Sequence, residues 1–477
     1  MNKKMIRYIV GWILIFEAVF FTIPIITSII YRERAVVSFA ICAALCLIFG
    51  KLLTLKKPRD TTLYSKEGYV IAALSWIVMS IFGAVPFMLT GVTNSYVDAL
   101  FETVSGFTTT GSTIFSDVES LPRSINIWRC FTHWIGGMGV LVFLMAFLSL
   151  SGGQNMHIMK AESPGPSVSK LVPRVKRTAL ILYTIYSLMT ILQFVILVIE
   201  GMPVFDSVCT ALGTAGTGGF GIKNDSLAGY STLIQVTVTV FMILFSINFN
   251  SYFLLLNRKV KDAFNCEVRA FLIIVAVSSA LIVLDMHSAF DSIGAAINHA
   301  TFSVASLIST SGYMSVDFDK WNALSKTVLV LVMFIGACAG STGGGIKVSR
   351  IVILFKGVKN ELSAMIHPRQ IKKVSVDKHP IEDSTVRGVL VYLACYVLIF
   401  VVSILLISWE NRSLVTNFTA VTTTLNNIGP GLDMVGPTQN FAFWSVPSKL
   451  VFIFNMLAGR LELFPMLVLF YPKTWKN

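Results

Sequence analysis

The chain has 477 residues, of which 55% are hydrophobic and 13% charged, so it is far more apolar than an ordinary soluble domain. Its net charge of +13 sits in short loops between apolar windows rather than on one soluble face, which argues for membrane topology and against nucleic-acid binding. The seven cysteines are odd in number and scattered through apolar runs, so neither a disulfide framework nor a metal centre follows.

A bilayer core about 30 Å thick needs roughly 20 apolar residues per helical span. Windows of that kind lie near 6–30, 35–55, 69–92, 127–150, 178–200, 232–256, 270–286, 325–355, 385–409 and 447–470. The first follows Lys3 and Lys4, is too long for the apolar part of a secretory signal and lacks a small-residue cleavage site, so it reads as a retained span. With the N-terminus inside, alternating crossings put the basic clusters Lys51 to Lys66, Lys160 to Arg177, Arg258 to Arg269 and Lys347 to Arg387 on the cytoplasmic side, as the positive-inside rule requires. The expectation is an all-α polytopic protein of the cell membrane with both termini cytoplasmic.

Four outer segments form an internal repeat: VDALFETVSGFTTTGST, FDSVCTALGTAGTGGFG, INHATFSVASLISTSGYMS and VTNFTAVTTTLNNIGPG. Each holds about three turns of apolar helix, too short to cross, followed by small and hydroxyl residues around a glycine; a re-entrant helix and loop fits. Aligning Gly111, Gly218, Gly312 and Gly429 divides the chain into two N-terminal helices (1–66) and repeats at 67–160, 161–262, 263–362 and 363–477. Asp98, Asp206, Asn298 and Asn417 stand where each could cap its short helix, or are polar residues placed at an interface by chance. Non-helical backbone at membrane depth must line a water-filled cavity or be buried in protein, so four such loops imply a shared polar axis.

An alkali cation is selected by replacing its hydration shell with uncharged oxygens, as rings of backbone carbonyls do. The candidate filter residues are Thr109, Thr110 and Gly111; Gly216, Thr217 and Gly218; Thr310, Ser311 and Gly312; and Asn427, Ile428 and Gly429. The short helices aim their partially negative C-terminal ends at the same point. Asp117, Asp225, Asp317 and Asp433 follow the glycines closely; they form an outer vestibule that concentrates cations, or are the ordinary acidic residues of exposed loops.

Residues 325–361 are too long for one span and hold Gly336, Gly340, Ser341, Thr342, Gly343, Gly344 and Gly345 in their middle. Each glycine costs a helix about 1 kcal/mol against alanine, which favours a break. Residues 336–346 then form either a mobile loop obstructing the cavity below the third filter, with Gly340 to Gly345 as the gate, or a tight helix crossing. Arg460 lies well inside the last span, where an unpaired charge costs at least about 2.5 to 3.5 kcal/mol. It faces the cavity, repelling cations or tethering the glycine loop, or else pairs with Glu462 or snorkels to a helix end.

These motifs carry a resemblance. SGFTTTG (105–111), WIGGMG (134–139), TGGF (217–220), GACAGSTGGGIK (336–347), LNNIGPG (425–431) and AGRLELFP (458–465) are similar to the TrkH/TrkG/KtrB superfamily of potassium transporters over nearly the whole chain, with two extra N-terminal spans as in TrkH. The resemblance implies a pseudo-fourfold channel-like fold and potassium as the transported ion, bound at the filter. It also implies the glycine loop as gate, Arg460 as the cavity arginine, a homodimer, and a cytoplasmic nucleotide-binding ring of the TrkA type. No cofactor is expected on this chain, and any nucleotide acts through the partner. His133 stands where the family often has glutamine, and reads as a hydrogen-bonded polar residue without a function of its own. The rival is a carrier coupling potassium to sodium or protons through intramembrane carboxylates, for which Glu17 and Glu102 are the candidates. An enzyme has no support, since no HExxH, G-x-S-x-G or phosphate-loop motif occurs.

Overall fold

The structure, a computed structural model, describes residues 1–60, 62–139, 175–367, 373–377 and 379–475. The basic cluster Lys160 to Arg177 lies outside them as far as residue 174, as do the end of the 127–150 window, the first repeat boundary at 160, and part of the Lys347 to Arg387 cluster. Among the described residues the chain is all-α, its only strands being the two-residue pair Ser375–Val376 and His379–Pro380. Six helices among the described residues are long and apolar enough to cross a membrane, and a seventh counts if one bent pair is a single span.

Ten continuous spans were expected, and the windows that fall short are those of the second helices. Each repeat consists of a long helix, a short helix, a loop and a second helix, and among the described residues each second helix is too short to cross. In chain order the long helices are Ser65–Gly83, Val175–Ile199, Cys266–Met286 and Asp383–Ile407. The short ones are Tyr96–Phe107, Val204–Gly216, Ile293–Ile308 and Leu414–Asn426. The second helices, Arg123–Met138, Thr232–Phe245, Ala323–Ile335 and Val446–Arg460, have 16, 14, 13 and 15 residues. At 1.5 Å rise per residue that is about 20–24 Å, short of the hydrocarbon core.

The breaks have local causes. Gly139 and Gly336 take φ of 80° and 72°, a conformation cheap only for glycine. In repeat two the chain turns by 90° between Phe245 and Phe249, with the Asn248 side chain capping the helix that follows. In repeat four Glu462 and Leu463 have φ of 55° and 67°, and Pro465 begins the next segment. Only the third break was legible as a glycine run.

The short helices are capped by Ser95, Ser292 and Ser413, whose hydroxyls accept from Asp98, Ala295 and Thr416 amides, while Val204–Gly216 begins after Pro203. The expected caps Asp98, Asp206, Asn298 and Asn417 instead lie inside the first turn or two, where three of them tie helices together. Asp98 accepts from Lys449 at 2.6 Å, Asp206 from the Tyr230 hydroxyl at 2.6 Å, and Asn298 donates to Gln235 at 2.8 Å.

The N-terminal helix, Lys3–Phe20 continued as Thr22–Ile30, crosses Ala35–Thr54 at two facing glycines. A Cβ on Gly11 would lie 2.9 Å from the Gly50 carbonyl oxygen, and one on Gly50 would lie 2.8 Å from that of Gly11. Small residues are what permit such backbone proximity between membrane helices. Phe21 then stacks on Trp128 at 4.5 Å and Phe20 meets Phe131 edge-on at 5.7 Å, fastening the N-terminal pair to repeat one. Gly50→Leu is expected to force the two helices apart at an overpacking cost of about 1–3 kcal/mol, read as a lower unfolding temperature in detergent while Phe49→Leu, on an exposed neighbour, stays at the wild-type value.

Candidate functional site

The four short helices end in the same way. Two residues before each loop glycine the chain turns left-handed, at Thr109 (φ 56°), Thr217 (56°), Thr310 (62°) and Asn427 (56°). The next amide then bonds back to a carbonyl five residues earlier: Thr110 to Ser105 at 2.8 Å, Gly218 to Gly213 at 2.9 Å, Ser311 to Ser306 at 2.9 Å and Ile428 to Thr423 at 3.0 Å. This is the closure that satisfies orphan carbonyls at a helix end. Left-handed threonine or asparagine costs on the order of 1–3 kcal/mol and persists only where surroundings enforce it. Here it recurs four times at equivalent positions.

The closure corrects the alignment of repeat two. The residue after the closing amide is Gly111, Gly219, Gly312 and Gly429, with φ of 79°, 70°, 76° and 101°. Gly219 therefore matches the other three glycines, Gly218 matches Thr110, Ser311 and Ile428, and Gly216 is the last helical residue, matching Thr108, Ser309 and Asn426. Two adjacent glycines left the spacing ambiguous by one residue, and only the hydrogen-bonded turn decides it.

These positions close on one another. A Cβ on Gly111 would overlap the carbonyl oxygen of Gly218, one on Gly219 that of Ser311, one on Gly312 that of Ile428, and one on Gly429 would lie 2.9 Å from that of Thr110. Each glycine packs on the preceding-residue carbonyl of the next loop, so the loops form a ring in chain order, one, two, three, four and back to one. The inner edge is uncharged backbone. Above it lies an open cavity of about 110 Å³ lined by all four glycines, Pro430, Ser112 and Lys223.

Asp117, Asp225, Asp317 and Asp433 are not among the residues that line that cavity. Asp117 accepts from the Asn224 amide at 2.9 Å and Asp433 from the Ser413 and Thr416 hydroxyls, bonds that hold both carboxyls below the usual carboxylate range. Asp317 pairs with Lys320 at 3.2 Å and caps a short turn. These residues shape the outer loops.

Under the ring lies the break of repeat three. The Gly344 amide donates to the Thr310 hydroxyl at 2.7 Å, and a Cβ on Gly343 would lie 2.8 Å from the Ser309 carbonyl oxygen, so the segment abuts the ends of short helices three and four. It is held at several points. Cys338 N donates to Ser246 O at 3.1 Å and Thr342 Oγ1 to Phe245 O at 3.1 Å, while Phe249 N donates to Gly340 O at 3.0 Å, binding the loop to the bend of repeat two. Lys347, buried, donates to the Gly343 carbonyl. Arg460 donates to Thr342 O at 2.7 Å, Gly136 O at 2.5 Å and Gly137 O at 2.8 Å, joining the loop to the end of helix Arg123–Met138. Glu462, the alternative partner, is ion-paired with Arg350.

Several positioning residues were not legible in the sequence. Glu267 accepts from Ala339 N at 2.6 Å and Ser349 N at 3.1 Å, clasping both ends of the break. Glu102, which the sequence left without a partner, is ion-paired with Arg129 at 2.7 Å and accepts from Ile114 N at 2.9 Å, while Arg129 also reaches Gly221 O at 3.1 Å. This buried pair braces loops one and two. Arg129 and Glu102 lie 27 residues apart, a spacing that no helical pattern flags. The Glu17 carboxylate is buried against Gly83 and makes no hydrogen bond. Among the described residues no group of three or more His, Cys, Asp or Glu could hold a metal ion.

The comparisons with known proteins agree over the full length. A family model described as TrkH, cation transport protein, matches residues 35–477. The Trk system potassium uptake protein TrkH of Salmonella typhimurium is 35% identical, and TrkG of Escherichia coli 31%, the alignments covering all of this chain and 100% and 99% of those proteins. The crystal structure of the potassium transporter TrkH from Vibrio parahaemolyticus superposes with a TM-score of 0.90 at 31% identity, covering 100% of both chains. Breaking the buried pair with Arg129→Met should cost about 3–5 kcal/mol by stranding Glu102, whereas Arg129→Met with Glu102→Leu should recover much of that loss; unfolding temperatures of the purified proteins check both.

Proposed function

This chain belongs to the TrkH family of cation transport proteins, and we propose that it takes up potassium across the cell membrane through the ring of four loops, with the glycine segment 336–347 as its gate. The observation that carries the reading is the cyclic packing of each loop glycine on its neighbour's carbonyl, which leaves uncharged oxygens as the groups around the axis. Such oxygens can replace the hydration shell of an alkali cation without trapping it, as a full negative charge would. The four helix ends point partial negative charge at the same place. The filter residues are thus Thr109 to Gly111, Thr217 to Gly219, Thr310 to Gly312 and Asn427 to Gly429.

The gate reading is supported by position and attachment. Gly343 and Gly344 press against helix ends at the ring's underside, and the segment's backbone is fastened by Arg460 and Lys347. In the closed state the Arg460 guanidinium holds the loop and places positive charge beneath the ring. Opening requires the Thr342 carbonyl to leave Arg460, after which the glycines can re-aim the backbone at little steric cost. The homologous systems are named as uptake proteins and not as enzymes, and no substrate chemistry is assigned to any side chain.

The charge pattern supports cytoplasmic termini, while the family resemblance is what implies a homodimer working with a nucleotide-binding partner, for which the basic cytoplasmic face is the candidate docking surface. The partner's lever would be the segment after the gate, where Asp377, directly after strand Ser375–Val376, accepts from Cys266 N at 2.8 Å, next to the Glu267 clasp.

Growth of a potassium-auxotrophic host, with rubidium uptake measured with and without sodium, tests the reading; failure of well-expressed protein to rescue growth would overturn it. Arg460→Ala removes the charge-assisted bond to the Thr342 carbonyl of the closed loop, worth about 1.5–3 kcal/mol, and should raise the uptake rate about tenfold or more. Deleting Gly343 to Gly345 should raise it likewise, and unchanged rates in both would reject the gate.

A further inference from the structure

In two of the four loops a hydroxyl pair braces the turn. The Thr108 and Thr110 hydroxyls bond to each other at 2.8 Å in loop one, and the Ser309 and Ser311 hydroxyls at 2.8 Å in loop three. In loop four both positions carry side chains, and Asn426 donates to Thr422 O at 2.9 Å and accepts from the hydroxyl of Tyr396, on the long helix of that repeat, at 3.1 Å. Loop two has no side chain at either position, since they are Gly216 and Gly218. Its place is taken from outside.

His133, on helix Arg123–Met138 of repeat one, is completely buried and stands in that space. A Cβ on Gly216 would overlap its backbone carbonyl, and one on Gly218 would overlap its imidazole ring. The ring is held at both nitrogens. Nδ1 donates to Gly106 O at 2.7 Å in the last turn of short helix one, and Nε2 accepts from the Phe220 amide at 3.2 Å, one residue past the ring glycine of loop two. The Phe220 amide can only donate, so the proton sits on Nδ1. Phe220 covers the imidazole face at 4.3 Å.

We propose that His133 is a positioning residue for loop two: its imidazole replaces, in trans, the missing hydroxyl pair, fixes the Gly218 carbonyl in the ring and thereby sets how well the ring tells larger from smaller alkali cations. Glycine at 216 and 218 is then the other half of one device, vacating the volume that the imidazole fills. The inference rests on the ring being the cation selector.

Rubidium uptake and its inhibition by sodium, normalised to folded protein by size-exclusion chromatography, test it in the auxotrophic host. No uptake by the wild type would sink the ring reading itself, whereas uptake with unaltered variants would sink only the role of His133. His133→Leu keeps the bulk but loses both hydrogen bonds, and discrimination against sodium should fall about fivefold or more. His133→Gln can donate to Gly106 O and accept from Phe220 N–H, and should restore it. Gly218→Ser should abolish uptake beside the intact imidazole, and His133→Ala with Gly218→Ser should regain it in part. Wild-type discrimination in folded His133→Leu would overturn the proposal, as would a double variant no better than Gly218→Ser alone.

Discussion

Four helices stop inside the body of the protein, and the backbone groups at their ends must find partners where bulk water does not supply them. The solution is the same each time: a left-handed residue, a closing amide and a glycine whose missing Cβ lets the next loop's carbonyl approach. The rest of the structure follows from that constraint. The long helices enclose the loops, the outer chain segments are pinned by Glu102, Arg129 and Asn224, and the second helices are cut short below the ring.

The fourfold pattern is one of backbone only; the side chains break it at every level. Loop one braces itself with threonines, loop three with serines, loop two borrows an imidazole, and Asn427 of loop four donates to both Thr110 Oγ1 and Met456 O at 2.9 Å. Beneath them the interruptions differ as well. Repeat three has a twelve-residue coil, 336–347, clasped by Glu267, Lys347 and Arg460, while repeats two and four have short breaks. Inside a low-dielectric body such charges are tolerated only when hydrogen-bonded, and here their partners are largely backbone carbonyls and amides of the break itself. The charges therefore report, and set, the position of that one segment.

Much of this was legible in the sequence because membrane spans and re-entrant helices leave strong apolar windows, and because glycine runs mark breaks. The four loops, the interruption at Gly336 to Gly345 and the exceptional status of Arg460 were all readable that way. What failed was finer. Adjacent glycines at 218 and 219 hid the register, since composition cannot say which of them follows the closing amide. Serines at 95, 292 and 413, unremarkable in a list of outer-loop residues, took the capping role from the acidic and amide residues. The breaks after Met138 and Arg460 are made by one or two residues with unusual dihedral angles, and the one after Phe245 by a 90° bend capped by Asn248, none of which a window average detects. Partners distant in sequence, such as Glu267 with Ala339 and Ser349, or His133 with Gly106 and Phe220, exist only once the chain is folded.

The central claim, a carbonyl-lined path closed by the glycine segment, makes an electrical statement. Recording from purified protein in planar bilayers, with potassium on one side and sodium on the other, tests it most directly. The account predicts a current without a driving co-ion, reversing close to the potassium equilibrium potential and enlarged when Arg460 is replaced by alanine. A silent membrane with uptake that strictly requires sodium or protons, or a reversal potential indifferent to exchange of potassium for sodium, would contradict it.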